Sequence, residues 1–191
     1  MVLALLRPAG KTRPAHRLVQ PTGRERFFRE QDTIVSKTDT TGKITYANRV
    51  FIDVSGYSER ELVGAPHSIV RHPAMPRCIF QLLWEEISAG REVFAYVINL
   101  CKNGDHYWVF AHVSPTFDET GRIVGHHSNR RAPARQVLPK VEALYRELLA
   151  VEKRAADRKE GLRTSRARLN RALEPFGGSA NAFAFALLEE A

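Results

Sequence analysis

The sequence predicts an α+β fold, in which a five-stranded antiparallel sheet carries short helices on one face and is followed by a C-terminal helical extension. Two strand patterns come first, several short helix patterns follow, and three longer strand patterns come last. The turns TDTTGK, KNGD and DETG are compact and rich in Asp, Asn and Gly, which is typical of hairpin connections. This order therefore predicts one sheet with its helices gathered on one side.

Each predicted strand is bounded by such a turn. The first hairpin pairs DTIVSKTD (32–39) with KITYAN (43–48), and Gly42 ends the turn between them. Three further segments rich in β-branched and aromatic residues predict the remaining strands, which are EVFAYVINLC (92–101), DHYWVFAHVSPTF (105–117) and RIVGHHSNR (122–130).

The helix patterns between the hairpins carry their own start and stop signals. Asn48 is a candidate N-cap for a short helix over NRVFIDVSG. Ser58 and Glu61 form a capping box, and Gly64 soon ends that helix. Pro76 begins a longer helix whose apolar residues recur at helical spacing, namely Ile79, Phe80, Leu83, Trp84 and Ile87.

Composition divides the chain into four segments. Residues 1–25 are rich in Pro and Arg, and we expect them to be disordered or to cap the domain. Residues 26–132 carry the strand and helix patterns of the domain, and residues 133–175 read as an amphipathic helical extension. Residues 176–191 include a Gly-Gly break at Gly177 and Gly178, and we expect them to form a flexible tail.

The net charge of +8 belongs to the flanks rather than to the domain. Residues 1–30 contribute +5 and residues 130–175 contribute +7, whereas residues 31–129 contribute −2. Basic flanks occur in nucleic-acid-binding proteins. However, these flanks lack interleaved aromatic residues and any helix-turn-helix pattern, so a solvated basic helix face is the favoured interpretation and no nucleic-acid partner is expected.

Other classes of function are disfavoured by what the sequence lacks. No apolar run is long enough for membrane insertion. No nucleophile elbow, phosphate-binding loop or zinc-protease motif is present, and the histidines do not cluster at metal-ligand spacing, so neither an enzyme nor a metal site is expected. Cys78 and Cys101 form neither a CxxC pair nor a disulfide framework, which favours a reducing cytoplasm.

The segment SIVRHPAMPR (68–77) interrupts this regular order. Pro73 and Pro76 cannot both lie inside a regular helix, so the segment must follow a non-helical course. We expect it to form the wall of a ligand pocket, with Arg71 and His72 held towards the ligand. A plain connector between two helices is the alternative.

Several short segments together resemble the PAS family over about residues 26–132: ITYAN with VSGYS, then PHSIVRHPAMP, then KNGDHYWV. More narrowly, the chain resembles the PAS domain of bacterial aerotaxis receptors. No membrane span, signalling hairpin or kinase domain is visible, so the stand-alone flavin-binding PAS proteins of bipartite energy-taxis systems are the nearer likeness. The resemblance implies a PAS fold, bound FAD, and a redox, oxygen or energy sensor that signals to a membrane chemoreceptor or another signal-transduction partner.

The resemblance also implies a set of cofactor-binding residues, to which we add Phe51: Asn48, Arg71, His72, Phe80, Trp84 and Asn99. The side-chain amide of Asn99 both donates and accepts hydrogen bonds, as the pyrimidine edge of a flavin requires. The planar guanidinium of Arg71 suits a diphosphate. His72 suits stacking on adenine or titration near neutral pH.

Structural roles remain open for the same residues. An N-cap explains Asn48 completely, and a surface position explains Arg71. His72 fits a cap on a neighbouring turn, while Phe80 and Trp84 fit core packing unless the core is itself the flavin slot.

Haem and an unliganded core also remain open as alternatives to FAD. Haem would take His67, His72 or His112 as its axial ligand. Without any ligand, the domain would be an interaction module. Light-driven thiol chemistry is disfavoured, because Cys78 lacks the asparagine–cysteine–arginine context of photoreceptors of the light-oxygen-voltage class.

Two surfaces are candidates for partner binding. The face of the three long strands would be adhesive if Tyr107, Phe110 and Val113 are exposed on it, as we expect. The C-terminal helix carries a broken apolar stripe that suits docking on a receptor or formation of a homodimer.

Overall fold

A computed structural model describes residues 19–189. All paired strands run antiparallel and form one five-stranded sheet in the order β2-β1-β5-β4-β3. The strands are β1 (Ile34–Thr38), β2 (Ile44–Ala47), β3 (Val93–Leu100), β4 (His106–Phe117) and β5 (Ile123–Arg131). The α+β fold class predicted from the sequence is confirmed.

The helices fall into two groups. Three of them lie between β2 and β3, together with a 3₁₀ turn at His67–Val70: α1 (Arg49–Ser55), α2 (Glu59–Leu62) and α3 (Arg77–Ser88). The others follow β5 and make up the helical extension: α4 (Leu138–Arg154), α5 (Arg158–Leu173) and α6 (Ala180–Glu189).

Two strand connections use the same aspartate chemistry. The carboxylate of Asp39 accepts from the backbone N–H groups of Thr41 and Lys43, each at 2.9 Å, in the turn between β1 and β2. Asp118 accepts from Thr120 at 2.9 Å and Arg122 at 3.0 Å between β4 and β5. Each aspartate satisfies backbone donors that the tight turn leaves free, so the polar turns read in the sequence fix the strand order.

The sheet packs α1 to α3 on its inner face, where strand alternation directs every second side chain. In β4, Tyr107, Val109 and Ala111 point inward and are buried. Tyr107 is fully buried, and Val113, two residues beyond Ala111, lines an internal cavity. The expectation that these two residues are exposed was therefore wrong, because they share the inner face.

The outer face of the long strands is covered by the chain's own helical extension. Phe110 is half-buried and packs against Phe94 of β3 and Phe185 of α6, with ring centroids 5.8 and 6.0 Å apart. Its predicted exposure was also wrong. Tyr145 of α4 donates to the carbonyl of Tyr96 at 2.6 Å. The aromatic surface that was predicted to bind a partner is thus largely covered by contacts within the chain.

The extension predicted over residues 133–175 is not one continuous helix. It breaks after Arg154, and Asp157 caps α5 by accepting from the backbone N–H groups of Lys159 and Glu160, each at 2.8 Å. The break lets α5 turn back along α4 and reach α3.

Where the sequence predicts a flexible tail over residues 176–191, the structure has α6, with Ala184 and Leu187 buried. Asn181 of α6 accepts from the backbone N–H of Phe94 at 2.8 Å and donates to the carbonyl of Glu92 at 3.2 Å. These bonds satisfy polar groups at the outer edge of β3 that would otherwise be free. Residues 190 and 191 of the expected tail lie outside the described residues.

Most of the expected N-terminal segment, residues 1–18, lies outside the described residues. The part that is described runs beside the turn between β3 and β4. Thr22 donates its backbone N–H to the carbonyl of Gly104 at 2.8 Å, and Glu25 pairs with His106. Among residues 19–189, no helix combines the length and hydrophobicity needed to cross a bilayer.

Candidate functional site

A cavity of about 280 Å³ lies between the inner face of the sheet and α3. Its walls combine aromatic and aliphatic side chains with a few polar groups, the composition expected of a small-molecule pocket. The lining residues discussed below are Ser36, Gly42, His67, Arg71, Phe80, Trp84, Asn99, Val113, Ser128 and Arg130. Four of the seven cofactor-binding residues predicted from the sequence belong to this lining, namely Arg71, Phe80, Trp84 and Asn99.

Asn99 supplies a polar group to the cavity from the end of β3. Asn99 is only 4% exposed, and its side-chain nitrogen Nδ2 has no hydrogen-bond partner among the described residues. A buried amide without a partner costs free energy on the order of 1–3 kcal/mol. A ligand with an acceptor at this place would remove that cost.

Arg71 reaches the cavity from the segment that the two prolines keep non-helical. Its backbone forms an isolated antiparallel bridge with Asn99, and its guanidinium carbon lies 3.6 Å from the centre of the Phe80 ring. Burial lowers the pKa of Arg71, and the nearby Arg158 lowers it further. The side chain nevertheless stays exposed at the rim, so its donors remain available to an anion.

Trp84 and Phe80 form the α3 wall of the cavity. Trp84 is 38% exposed and meets His126 edge to face, with ring centroids 5.4 Å apart. Phe80 is half-buried beneath Arg71. Both rings contribute apolar surface to the wall of the cavity, which suits a planar ligand.

Asn48 and Phe51 lie outside the cavity lining. Asn48 caps α1 by accepting from the backbone N–H of Phe51 at 3.0 Å, and it also bonds Val35 and the carbonyl of Thr33. Its amide is therefore fully used by the fold. Phe51 is completely buried and stacks on His67, with ring centroids 5.9 Å apart, so it supports the cavity wall from behind.

His72 also lies outside the lining, although it follows Arg71 directly. Its Nδ1 accepts from the backbone N–H of Ala74 at 3.0 Å, which caps the turn that leads into α3. Burial lowers the pKa of His72 to about 4, and the neighbouring His106 adds to the shift. His72 therefore shapes the segment in its neutral form.

Two further lining residues were not among the cofactor-binding residues predicted from the sequence, although His67 was considered there as a haem ligand. Arg130 is 2% exposed at the end of β5, and its guanidinium lies over the Phe51 ring. His67 has its Nε2 3.2 Å from the hydroxyl of Ser36. No motif marks Arg130, yet in GHHSNR the period-two alternation alone places Ser128 and Arg130 on the same face of β5.

His67 is held neutral by its surroundings. Burial lowers its pKa to about 3, and the charge of Arg130 acts in the same direction. Nε2 of His67 also lies 3.4 Å from Nη1 of Arg130. Because a guanidinium only donates hydrogen bonds, Nε2 of His67 is the acceptor in this contact. The polar end of the cavity thus contains one buried cation surrounded by neutral groups.

Cys78 is fully buried and does not line the cavity. It sits at the start of α3, where its backbone N–H bonds Glu152 of α4 at 3.2 Å. Burial raises the pKa of its thiol to about 11, so the protonated form prevails at neutral pH. These properties do not suit thiol chemistry on a cavity ligand.

This architecture is that of the PAS fold, and the chain belongs to the PAS-fold family, which it matches over residues 24–127. A solved structure described as "Flavin Analogue Sheds Light on Light-Oxygen-Voltage Domain Mechanism" superposes on this chain with a TM-score of 0.53. The match has 15% sequence identity and covers 60% of this chain and 87% of that chain, so it concerns the fold alone.

Among relatives of known identity, the aerotaxis receptor of Escherichia coli (strain K12) is 42% identical over 121 residues, which are 63% of this chain and 24% of the receptor. The bacterioopsin transcriptional activator of Halobacterium salinarum is 29% identical over 144 residues, 67% of this chain and 21% of that protein. The chain thus spans about a quarter of the length of the curated relatives it matches.

Proposed function

We propose that this chain is a flavin-binding PAS sensor, that FAD is its flavin, and that it signals through protein contacts rather than by catalysis. The observation that carries this proposal is the cavity beside Asn99, whose buried amide nitrogen has no hydrogen-bond partner in the described part of the chain. The identity of 42% with the aerotaxis receptor supports a redox or energy stimulus and a partner in chemotaxis signalling.

The residues of the cavity fit a flavin ring. Apolar surface on Phe80, Trp84 and Val113 suits a flat tricycle, and the amide of Asn99 suits its pyrimidine edge. The volume of about 280 Å³ lies near the lower end of ligand pockets, which span roughly 300–1,000 Å³. It therefore has room for the ring system, and the remainder of a dinucleotide would extend past the rim.

Arg71 is suited to the part of the ligand that leaves the cavity. It is exposed at the rim and anchored to β3 by its backbone bridge with Asn99. A guanidinium in this position offers paired donors to a diphosphate. The non-helical course set by Pro73 and Pro76 brings the donor to the rim.

A bound flavin would supply reversible electron transfer coupled to proton uptake at its polar edge. The chain's own part is to hold that edge and to respond to it. A change from acceptor to donor at the ligand reverses the hydrogen bond that the Asn99 amide can make. Asn99 lies on β3, whose outer edge contacts Tyr145 and Asn181 of the extension, so a shift of this strand reaches the helices.

The helical extension is the surface that we propose for a partner. The outer face of the long strands is occupied by Phe185 and Tyr145, whereas α4 and α5 keep exposed faces rich in Arg and Lys. A chemoreceptor, another signalling chain or a second copy of this chain would meet these helices first.

Haem has weaker support than flavin. Of its three candidate ligands, only His67 lines the cavity, and its Nε2 already faces a hydroxyl and a guanidinium. His112 instead stacks on Phe94 and pairs with Glu92 at 2.7 Å. A filled, ligand-free core also has little support, because the space beside Asn99 is open.

An absorbance spectrum of the full chain, purified and reconstituted with FAD, tests the proposal. We expect flavin bands that stay with the protein through gel filtration, and high-performance chromatography of the released dye should identify FAD. The variant Phe80→Ala should retain less flavin, whereas Phe117→Ala, at an exposed ring remote from the cavity, should retain as much as the unchanged protein. A Soret band, or no retained dye after reconstitution, would contradict the proposal.

A further inference from the structure

Arg130 is a buried cation without a counter-charge. The residue is 2% exposed, and among residues 19–189 no carboxylate forms an ion pair with it. Its Nη2 donates to the hydroxyl of Ser36, its Nη1 lies 3.4 Å from Nε2 of His67, and its guanidinium carbon lies 4.5 Å from the centre of the Phe51 ring. Within the same described range, its Nε has no hydrogen-bond partner.

Two less deeply buried arginines, Arg77 and Arg166, are each paired with a carboxylate. The side chain of Arg77 is 23% exposed and lies 2.9 Å from a carboxylate oxygen of Glu152. The side chain of Arg166 is 21% exposed and lies 2.7 Å from Glu85. Arg130 is more deeply buried than either, yet it faces only neutral groups, and burial of an unpaired charge opposes folding.

The guanidinium nevertheless stays charged. Burial lowers the pKa of Arg130 to about 10, which is still well above neutral pH. The charge of an ionised Tyr107 would raise the pKa of Arg130, but burial raises the pKa of the Tyr107 hydroxyl and keeps it neutral. The positive charge therefore persists at the wall of the cavity, with one donor unused.

We infer that Arg130 makes the cavity bind an anionic occupant more tightly than a neutral occupant of the same shape. This inference rests on the proposed function and adds to it. Reduced flavin carries a negative charge on its pyrimidine edge in mildly alkaline solution, whereas the oxidised ring is neutral. The cavity would then favour the reduced dye, and by linkage the bound flavin would be easier to reduce than the free one.

Riboflavin is the sharpest probe, because it lacks the phosphates that would add other charges. Its dissociation constants should be measured at pH 8 by anaerobic ultrafiltration, in the oxidised form and after reduction with dithionite. In Arg130→Met we expect the reduced form to bind about tenfold or more weakly, in keeping with the loss of a charge-assisted hydrogen bond, and the oxidised form to change less than about threefold. Arg130→Lys, which keeps the charge, should retain most of the preference.

Arg131→Met is the matched control, because Arg131 is the next residue of β5 and is exposed on the other side of the strand. It should leave both constants unchanged. Equal losses for the two forms in Arg130→Met, or no loss for either, would overturn the inference, because the charge would then not be what the cavity uses.

Stability without ligand gives a readout that does not depend on flavin. If Arg130 serves an occupant, Arg130→Met should raise the urea midpoint of the ligand-free protein, because it removes an unpaired buried charge. A lower midpoint, or a variant that fails to fold, assigns Arg130 a structural role and overturns the inference. If the unchanged protein binds neither form of riboflavin while the midpoint of the variant rises, the flavin proposal fails and an anion site for another ligand remains.

Discussion

The backbones of Arg71 and Asn99 are joined by an antiparallel bridge, which fixes the loop after the 3₁₀ turn to the end of β3. Two residues that are 28 positions apart in the sequence thereby meet at the rim of one cavity. The bridge places an exposed guanidinium beside a buried amide, so one ligand can contact both. This arrangement gives the first prediction.

Replacing Asn99 with Leu should separate stability from ligand binding. The substitution removes a buried amide whose Nδ2 bonds no other group of residues 19–189, so the free energy of unfolding of the ligand-free protein should rise by about 1 kcal/mol. The same change should reduce the FAD retained after gel filtration by about tenfold, since the polar edge of the ring loses its partner. Urea titration and absorbance measure the two effects.

Asn129→Leu is the control for that prediction. Asn129 lies on β5 outside the cavity lining, and its side chain bonds His127 at 3.1 Å. It should leave flavin retention unchanged. An Asn99→Leu protein that is less stable and retains all its FAD would show that the amide serves the fold instead.

Gly42→Ala should move Trp84. Gly42 has φ +79°, and a Cβ atom there would lie 3.0 Å from Cζ2 of Trp84. Gly121 has nearly the same backbone conformation, at φ +78°, but a Cβ there would meet no atom within 4 Å. Both alanine variants should lose about 1 kcal/mol of stability from the positive φ. Only Gly42→Ala should also shift the tryptophan fluorescence and weaken flavin retention.

Equal fluorescence spectra for the two glycine variants would contradict this account of the Trp84 wall. The comparison is matched because backbone strain is common to both positions and only the contact differs. Trp108, the second tryptophan, is 6% exposed on the other face of the sheet, so it should not respond.

The sequence predicted the sheet well because its signals are local. Asp39 and Asp118 terminate strands through bonds within their own turns, and the cap formed by Asn48 spans only three residues. The cavity could be predicted in part, since the resemblance to the PAS family implied a ligand-binding role for Arg71 and Asn99. Arg130 was missed because its role depends on which face of β5 is inward and on the absence of a nearby carboxylate, and both are tertiary properties.

The helical extension illustrates the same limit. Composition marked residues 176–191, which include two adjacent glycines, as a tail, but the apolar side chains of α6 pack on β3 and order the segment. The exposure of Tyr107, Phe110 and Val113 was misjudged for a related reason. Periodicity shows that a strand has two faces, but only the packed structure shows what covers each of them.

Stability should fall as the pH is lowered from about 6.5 towards 4. Burial lowers the pKa of His67 from 6.5 to about 3 and that of His72 from 6.5 to about 4. In this range the unfolded chain binds protons at these residues and the folded chain does not, so protonation favours unfolding. Urea midpoints measured at intervals of pH between 6.5 and 4 should show the decline.

The variants His67→Gln and His72→Gln should each reduce that pH slope, and the double variant should reduce it further. Both glutamines remain neutral over the whole range, so they cannot add a titration of their own. A slope that survives intact in the double variant would assign the acid sensitivity to other groups.

Glu152 of α4 connects the helical extension to α3, the helix that carries one wall of the cavity. Its carboxylate accepts from the backbone N–H groups of Arg77 at 2.8 Å and Cys78 at 3.2 Å, and from Nε of Arg77 at 2.9 Å. The hydroxyl of Ser165 donates to it at 3.0 Å. Pro76 precedes α3 and offers no side-chain cap, so Glu152 of α4 satisfies the free donors of that helix from outside it.

Glu152→Ala should therefore lower the free energy of unfolding by about 3 kcal/mol, because it removes the counter-charge of the half-buried Arg77 and leaves its Nε and two backbone donors without that acceptor. Glu152→Gln should cost less, since an amide oxygen still accepts. Glu147→Ala, on the same helix, breaks only a surface pair with Arg168 and should cost at most about 1 kcal/mol. Since α3 carries Phe80 and Trp84, Glu152→Ala should also weaken flavin retention, whereas Glu147→Ala should not. If Glu152→Ala destabilised the protein but left retention intact, α3 would hold its wall of the cavity without the extension, and a signal would have to leave the cavity through β3 alone.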